Sequence, residues 1–557
     1  MFRTVIKTIV ILVLINFLGS KLYKRFDLTE DKRYTLSEAA KNTLEGVEET
    51  LLVEVLLEGK FPAEFKRLQN ETRQILEEFA AHNRNLRYLF INPTEDPESA
   101  EDVQWQLAQL GIMPAQVTVQ DGSTLTQELI YPWAIISYQE RMVKVPLLKN
   151  QLGNTPEERI SNSIQNLEYA FADGFNKIVH PKKRKVAVLK GNGQLHDRYI
   201  ADFVSTLKEY YYIAAYTLDS VENNVVKTLE QISEFDLIIS AGPTEAYSDK
   251  EKYVLDQYLM NGGKTLWLID QVEITRDSLF ANGKTFAFGR DLNLTDLFFR
   301  YGVRINPVLA NDLYSAPLVL AIGSGSETQY QQYPWFYSPL TMSSKNHPIV
   351  NNIEAVKFDF ASQIDTLEND VKKTILLSTS PMTRLIGTPV EINLDEIEGY
   401  LQTINQGPDP GKYSAGEVPL AVLLEGNFPS GFRNRVKPFK VPNHKDESKQ
   451  TMMLVISDSD VIKNQLDGNR PMELGYDKWT NNMYGNKEFL LNSVNYLLDD
   501  TGLIHIRNKV VKLPFLDTQK VIAQKSRWQL INIALPLGIM TIIGLVIHFF
   551  RKRKYAR

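Results

Sequence analysis

The residues with the strongest claim to chemistry are carboxylates and amides placed just after apolar runs. Asp270 follows Thr265–Ile269 (TLWLI), and Asp458, with Asp460, follows Met452–Ile456 (MMLVI). Asn192 and Gln194 lie in the turn Gly191-Asn192-Gly193-Gln194 after Lys185–Leu189 (KVAVL). If these runs are parallel strands, their carboxyl ends form the edge where doubly wound sheets bind ligands. Neighbouring strands would bring Asp270 and Asp458 to one crevice with Asn192 and Gln194. That set is the candidate ligand-binding site, and no residue is assigned a catalytic or metal-binding role. It suits a small polar molecule or glycan, or a hydrolase working with carboxylates as acid and base. A solvated rim is the plainer alternative.

Several chemistries are excluded by what the 557 residues lack. There is no cysteine, hence no disulfide, cysteine-ligated metal, thiol redox couple or thiolate nucleophile. No G-x-x-x-x-G-K-[ST] loop occurs, so the chain does not bind ATP by the usual cradle. The Gly191-Asn192-Gly193 turn lacks the third glycine of a dinucleotide fingerprint, and no cofactor is expected. The seven histidines have no metal-pair spacing. His196 either lines the crevice or sits on an exposed loop. Lys and Arg number 62 against 67 Asp and Glu, so no basic surplus is available for nucleic acid. The aromatic run Tyr330, Tyr333, Trp335, Phe336 and Tyr337 either stacks on a sugar or packs a long loop onto the core.

Two α/β units must position these residues. In the first, Leu51–Leu57 and Leu86–Ile91 read as strands, and Ala63–His82 and Ser99–Leu110 as helices. Pro114 then precedes a strand, Trp133–Tyr138 and Met142–Val145 form a hairpin, and a helix runs over Pro156–Phe171. This order is similar to the thioredoxin fold, in which a cis proline precedes the third strand and a C-x-x-C follows the first. Here that place reads EGKFPAEF, so the scaffold is expected without its redox chemistry. After the linker HPKKR (180–184), strands at Lys185–Leu189, Tyr212–Thr217, Leu237–Ser240 and Thr265–Ile269 alternate with helices at Tyr199–Glu209, Val225–Ile232 and Asp249–Asn261. Runs apolar on both faces indicate a buried parallel sheet in a flavodoxin-like, doubly wound domain. Beyond Phe280 the pattern loosens. Thr374–Leu377, Leu420–Leu424 and Met452–Ile456 are added strands, Asn427–Gln450 is a polar mobile stretch, and Asn486–Leu498 is an amphipathic helix.

Both ends are apolar. Leu530–Phe550 carries no charge, is long enough to cross a bilayer, and is followed by Arg551, Lys552, Arg553 and Lys554, a cytoplasmic signature. At the other end Arg3 and Lys7 precede Ile9–Leu18, read as an uncleaved anchor. The expected organisation is an anchor over 1–23, a thioredoxin-like domain over 27–178, a doubly wound domain with long insertions over 185–510, a membrane helix over 529–550 and a basic tail over 551–557. Both termini are then cytoplasmic, and the acidic bulk lies outside the cytoplasm, periplasmic beside the inner membrane.

Four features occur in a telling order: RFDLTEDKRYTLS (25–37), the Gly191/Gly193 turn after a strand, the helix NKEFLLNSVNYLLDD (486–500), and the terminal anchor with its basic stop. Together they resemble the GldG family, auxiliary substrate-binding-like components of gliding-motility ABC transporters. The resemblance implies a central domain similar to class I glutamine amidotransferases. It also implies a membrane-anchored accessory subunit working with a separate permease and a separate ATPase. Other envelope proteins and self-association are left open. Relatives often carry GHGE at the turn; Asn192 and Gln194 replace its imidazole and carboxylate, and the amidotransferase nucleophile is a cysteine this chain lacks.

Overall fold

In the computed structural model the described residues are 11–12, 16, 35–59, 61–96, 98–121, 124–149, 154–323, 325, 328–341, 347–439, 443–509 and 518–555. Most of the expected N-terminal anchor and most of RFDLTEDKRYTLS lie outside them. Ser37, at the end of that segment, caps the short helix Glu38–Asn42 by accepting the Ala40 N–H at 3.2 Å. Residues up to Val510 form one compact unit, and Val511–Arg557 a second.

The first sheet begins where the sequence alternates. Leu51, Val53 and Val55 are buried, while Leu52 and Glu54 between them are half-buried. The strand Leu51–Val55 pairs in parallel with Leu86–Phe90 and antiparallel with Trp133–Tyr138, which in turn pairs with Arg141–Pro146. Helices Ala63–His82 and Pro156–Val179 meet through Phe79 and Phe175, edge to face at 5.0 Å. The second helix starts with a capping box, Thr155 with Glu158. It runs past Phe171 because Ala172, Phe175 and Ile178 continue its buried stripe. Pro114 opens a separate hairpin, Ala115–Asp121 with Thr124–Ile130, rather than the third strand of the sheet. The cis peptide among the described residues is Thr388–Pro389, so the bond before Pro114 is trans.

The central sheet has seven strands. Tyr212–Thr217, Lys185–Lys190, Leu237–Ala241, Lys264–Leu268 and Thr451–Ile456 lie side by side, all parallel. Pro419–Gly426 and Lys372–Ser378 extend the sheet antiparallel. Each strand feeds two cores. Val186 and Val188 pack with helices Asp197–Tyr210 and Asn486–Leu498, whereas Ala187 and Leu189 pack with Val225–Ile232 and Asp249–Met260. Between Leu268 and Thr451 the chain builds smaller sheets around a third core that includes Trp335, Phe336, Tyr337 and Tyr400. Part of the stretch expected to be mobile, residues 428–432, is anchored. Phe428 and Phe432 are buried, and Ser430 and Gly431 donate to the buried Asp256 at 2.7 Å. Their polar neighbours had masked two apolar anchors and an acceptor 174 residues away.

Segments around Ser37 and Lys509 meet at Glu168. Its carboxylate accepts the Ser37 N–H at 2.7 Å and the Lys509 ammonium at 2.6 Å, and Lys509 also reaches the Thr35 carbonyl at 2.8 Å. The second unit contains a 38-residue helix, Thr518–Tyr555, about 57 Å long at 1.5 Å per residue. Pro536 lies inside it. Its segment Ala523–Lys554 is the one helix among the described residues long and apolar enough to cross a membrane.

Candidate functional site

Leu268 and Ile456 are direct partners on adjacent parallel strands, so the loops that follow them emerge together. Ser459 bridges them: its N–H and its hydroxyl each donate to Asp270 at 2.6 Å. Asp458 turns inward, accepting the Asp460 N–H at 2.7 Å and the Asp359 N–H at 2.5 Å. Gly242, which follows the strand Leu237–Ala241, makes room for this bridge. Its φ is +62°, and a Cβ there would stand 2.7 Å from the Ser459 hydroxyl. Sheet topology therefore brings Asp270 and Asp458 together.

Asn192 and Gln194 join a different set. Gln194 Oε1 accepts the Asn192 N–H at 2.8 Å, and its amide donates to Tyr247 at 3.0 Å. The Asn192 amide donates to Glu251 at 3.2 Å. Asn192 thus braces the turn against the first turn of the helix Asp249–Met260, and Gln194 against Tyr247 just ahead of it. His196 is the N-cap of the helix Asp197–Tyr210, its Nδ1 accepting the Arg198 N–H.

Outside the inward-facing pair lies a charged cleft that spacing could not reveal. Arg276 pairs with Asp359 at 3.0 Å and with Asp460, which also meets Lys463 at 3.4 Å. Across the cleft Lys357 pairs with Asp477 at 3.2 Å. Tyr199, Tyr476, Trp479 and Tyr484 line the same space, about 370 Å³ in volume and within the range of small-molecule sites. Asp270 and Asp458 form its floor support, while Asp460, two residues on, faces it. Asp460 was visible in the SDSD loop. Arg276, Asp359 and Lys357 come from the insertion and carried no signal of their own.

Burial pushes both Asp270 and Asp458 above the usual carboxylate range, and the nearby Asp460 pushes them further. Burial also acts upward on Asp460, but Arg276 and Lys463 outweigh it and hold that carboxyl below its ordinary value. For Arg276 burial opposes the charge, and Asp359, Asp460, Asp458 and Asp270 together more than restore it. The wall of the cleft is therefore polar but internally compensated: each lining acid already has a cation. It can offer directed hydrogen bonds, and Lys478, the lining cation with no carboxylate partner among the described residues, is held by the Leu466 carbonyl. Among the described residues no group of three His, Asp or Glu side chains has metal-holding geometry.

The aromatic run divides. Trp335, Phe336 and Tyr337 are core residues, Tyr333 is half-buried against that core, and Tyr330 remains 63% exposed. The Tyr330 ring lies 5.2 Å from that of Trp479, tilted by 37°, and Trp479 is itself 51% exposed.

The family described as an ABC-type uncharacterized transport system matches residues 183–493, more than half of the chain. A domain of unknown function matches residues 30–137. An uncharacterized protein of Borreliella burgdorferi (strain ATCC 35210 / DSM 4680 / CIP 102532 / B31) is 21% identical over 98% of this chain and 97% of its own length. A solved structure, the mmIFT52 N-terminal domain, aligns with 57% of this chain and 98% of its own, at 14% identity and a TM-score of 0.30, too low to carry an argument.

Proposed function

The chain belongs to the family described as an ABC-type uncharacterized transport system, and from that premise we propose that it is a non-catalytic, membrane-anchored accessory subunit working with a separate permease and a separate ATPase. The junction at Glu168 carries this reading. Thr35 and Lys509, near the two ends of the folded body, are tied to one another. A body whose entry and exit adjoin is suited to two anchors entering the same membrane face, one over 1–23 and one over 529–550. Both termini are then cytoplasmic and the body is extracytoplasmic, with Arg551–Lys554 as the cytoplasmic stop.

Strand order supports the finer fold assignments. The second–first–third–fourth–fifth order of the parallel strands suits a flavodoxin-like, amidotransferase-related domain. The order of the four-stranded sheet suits a thioredoxin-like unit that has lost its thiols. Both are scaffolds kept for contact rather than turnover. The link to gliding motility rests on the resemblance of the chain's ordered motifs.

Extraction of the native complex in mild detergent tests the proposal. A permease and an ATPase are expected to accompany the protein through purification, and deletion of its gene should impair surface spreading. Recovery of the protein alone at native expression levels would defeat the subunit reading.

A further inference from the structure

We propose that the cleft beside Asp460 binds a neutral saccharide. This goes beyond the accessory role and does not depend on it. The observation that carries it is an exposed aromatic pair beside a compensated polar cleft. Trp479 and Tyr330 come from segments 149 positions apart, yet their rings meet at 5.2 Å while about half or more of each side chain faces solvent. Two exposed aromatic rings in contact present a joint apolar surface beside the cleft. Lys478 lies 5.1 Å over the Trp479 ring, and its ammonium donates to the Leu466 carbonyl at 2.9 Å, which holds the platform's base in place.

The chemistry of the adjoining wall selects among ligand classes. An anion entering the cleft finds Arg276 shared between Asp359 and Asp460, and Lys357 held by Asp477. A cation finds those same carboxylates occupied. At these pairs either ion would have to break an existing bond and leave a partner uncompensated; Lys478, held by the Leu466 carbonyl and the Trp479 ring, is the lining cation that an anion could reach without doing so. A polyol need break none. Its hydroxyls can both donate to the spare lone pairs of Asp460, Asp359 and Asp477 and accept from the spare N–H groups of Arg276 and Lys463, while its C–H face lies on the Trp479–Tyr330 platform. The cleft volume of about 370 Å³ accommodates one or two sugar rings. Gly475 frames the opening. With φ at +92°, its carbonyl accepts the Tyr484 N–H at 2.8 Å, drawing that loop in so tightly that a Cβ would lie 2.3 Å from the Tyr484 oxygen. The wall is therefore formed before any ligand arrives.

The test uses the full-length protein in lipid nanodiscs, because a glycoside detergent would compete. Chitotetraose, cellotetraose and maltotetraose are titrated by calorimetry and by tryptophan fluorescence, with inorganic phosphate and calcium as the ionic comparisons. Saturable binding of at least one tetrasaccharide is expected. Trp479→Ala and Tyr330→Ala, both at exposed positions that leave the fold intact, should each weaken it about tenfold or more. Trp479→Phe should retain most of it, and Asp460→Asn should weaken it without changing the fluorescence of the free protein. The inference is overturned if none of the three sugars binds, if binding ignores both aromatic substitutions, or if phosphate or calcium binds in a Trp479-dependent way instead.

Discussion

At Arg276 one guanidinium serves two carboxylates directly, Asp359 at 3.0 Å and Asp460, with Asp458 and Asp270 in the layer behind. Removing it is therefore unlike removing a surface cation. Arg276→Met leaves Asp359 and Asp460 short of a partner in a site where Arg276 itself is only 31% exposed. The expected loss is roughly 2–3 kcal/mol, below the value for a fully buried pair because the cleft admits water; urea midpoints measure it. The pH dependence has a definite sign. Asp460 is held below its ordinary value of 3.8, so its contribution is fully present above that value and drains away as pH falls through the folded value. Without Arg276 the folded value rises, and acid unfolding should begin at higher pH. An unchanged acid midpoint would show that Arg276 is not what holds Asp460 ionised.

The element scale adds a buried junction between the N-terminal sheet unit and the central domain. Glu488, in the first turn of helix Asn486–Leu498, receives Lys149 at 2.7 Å and Arg507 at 2.8 Å. The Arg507 guanidinium lies 5.0 Å over the ring of Tyr169 from the helix Pro156–Val179. A carboxylate in a helix's first turn also interacts favourably with the helix dipole. Burial pulls Lys149 down to about 8, against the upward pull of Glu488, from an ordinary 10.5. Between those values the unfolded chain keeps a proton that the folded chain has released. Stability must then rise with pH over that window. Thermal midpoints at pH 7.5 and 10 should show this relative gain in the native chain and its disappearance in Lys149→Met. An identical pH trend in both proteins would remove Lys149 as its source.

For the molecule as a whole, the decisive feature is where the chain enters and leaves its folded body. Glu168 ties Ser37 to Lys509, an arrangement that suits the proposed pair of anchors. A chain cut to residues 24–510 should fold and remain in the aqueous phase, whereas the full chain sediments with membranes. Cosedimentation of the shortened chain with protein-free vesicles would mean that the body itself seeks lipid, against the two-anchor reading.

The element boundaries were legible because their causes are local. The helices Ala63–His82, Val225–Ile232 and Asn486–Leu498 and the strand Tyr212–Thr217 occur where apolar periodicity, caps and breakers within a dozen residues specify them. The missing thiols and the apolar C-terminal segment were equally plain, since composition alone carries them. The insertion was less legible: short strands in Gly- and Pro-rich sequence leave no period, and nothing local says that Pro419–Gly426 will complete the central sheet against Thr451–Ile456. Asp270 and Asp458 could be placed from strand ends, but Asn192 and Gln194 are drawn by Tyr247 and Glu251 toward a neighbouring helix. The meeting of Arg276 with Asp359 and Asp460, and of Tyr330 with Trp479, belongs to tertiary structure alone. Residues far apart in the chain come together only after the sheet has set the direction of the loops that leave it, and no pattern within a single segment encodes that proximity.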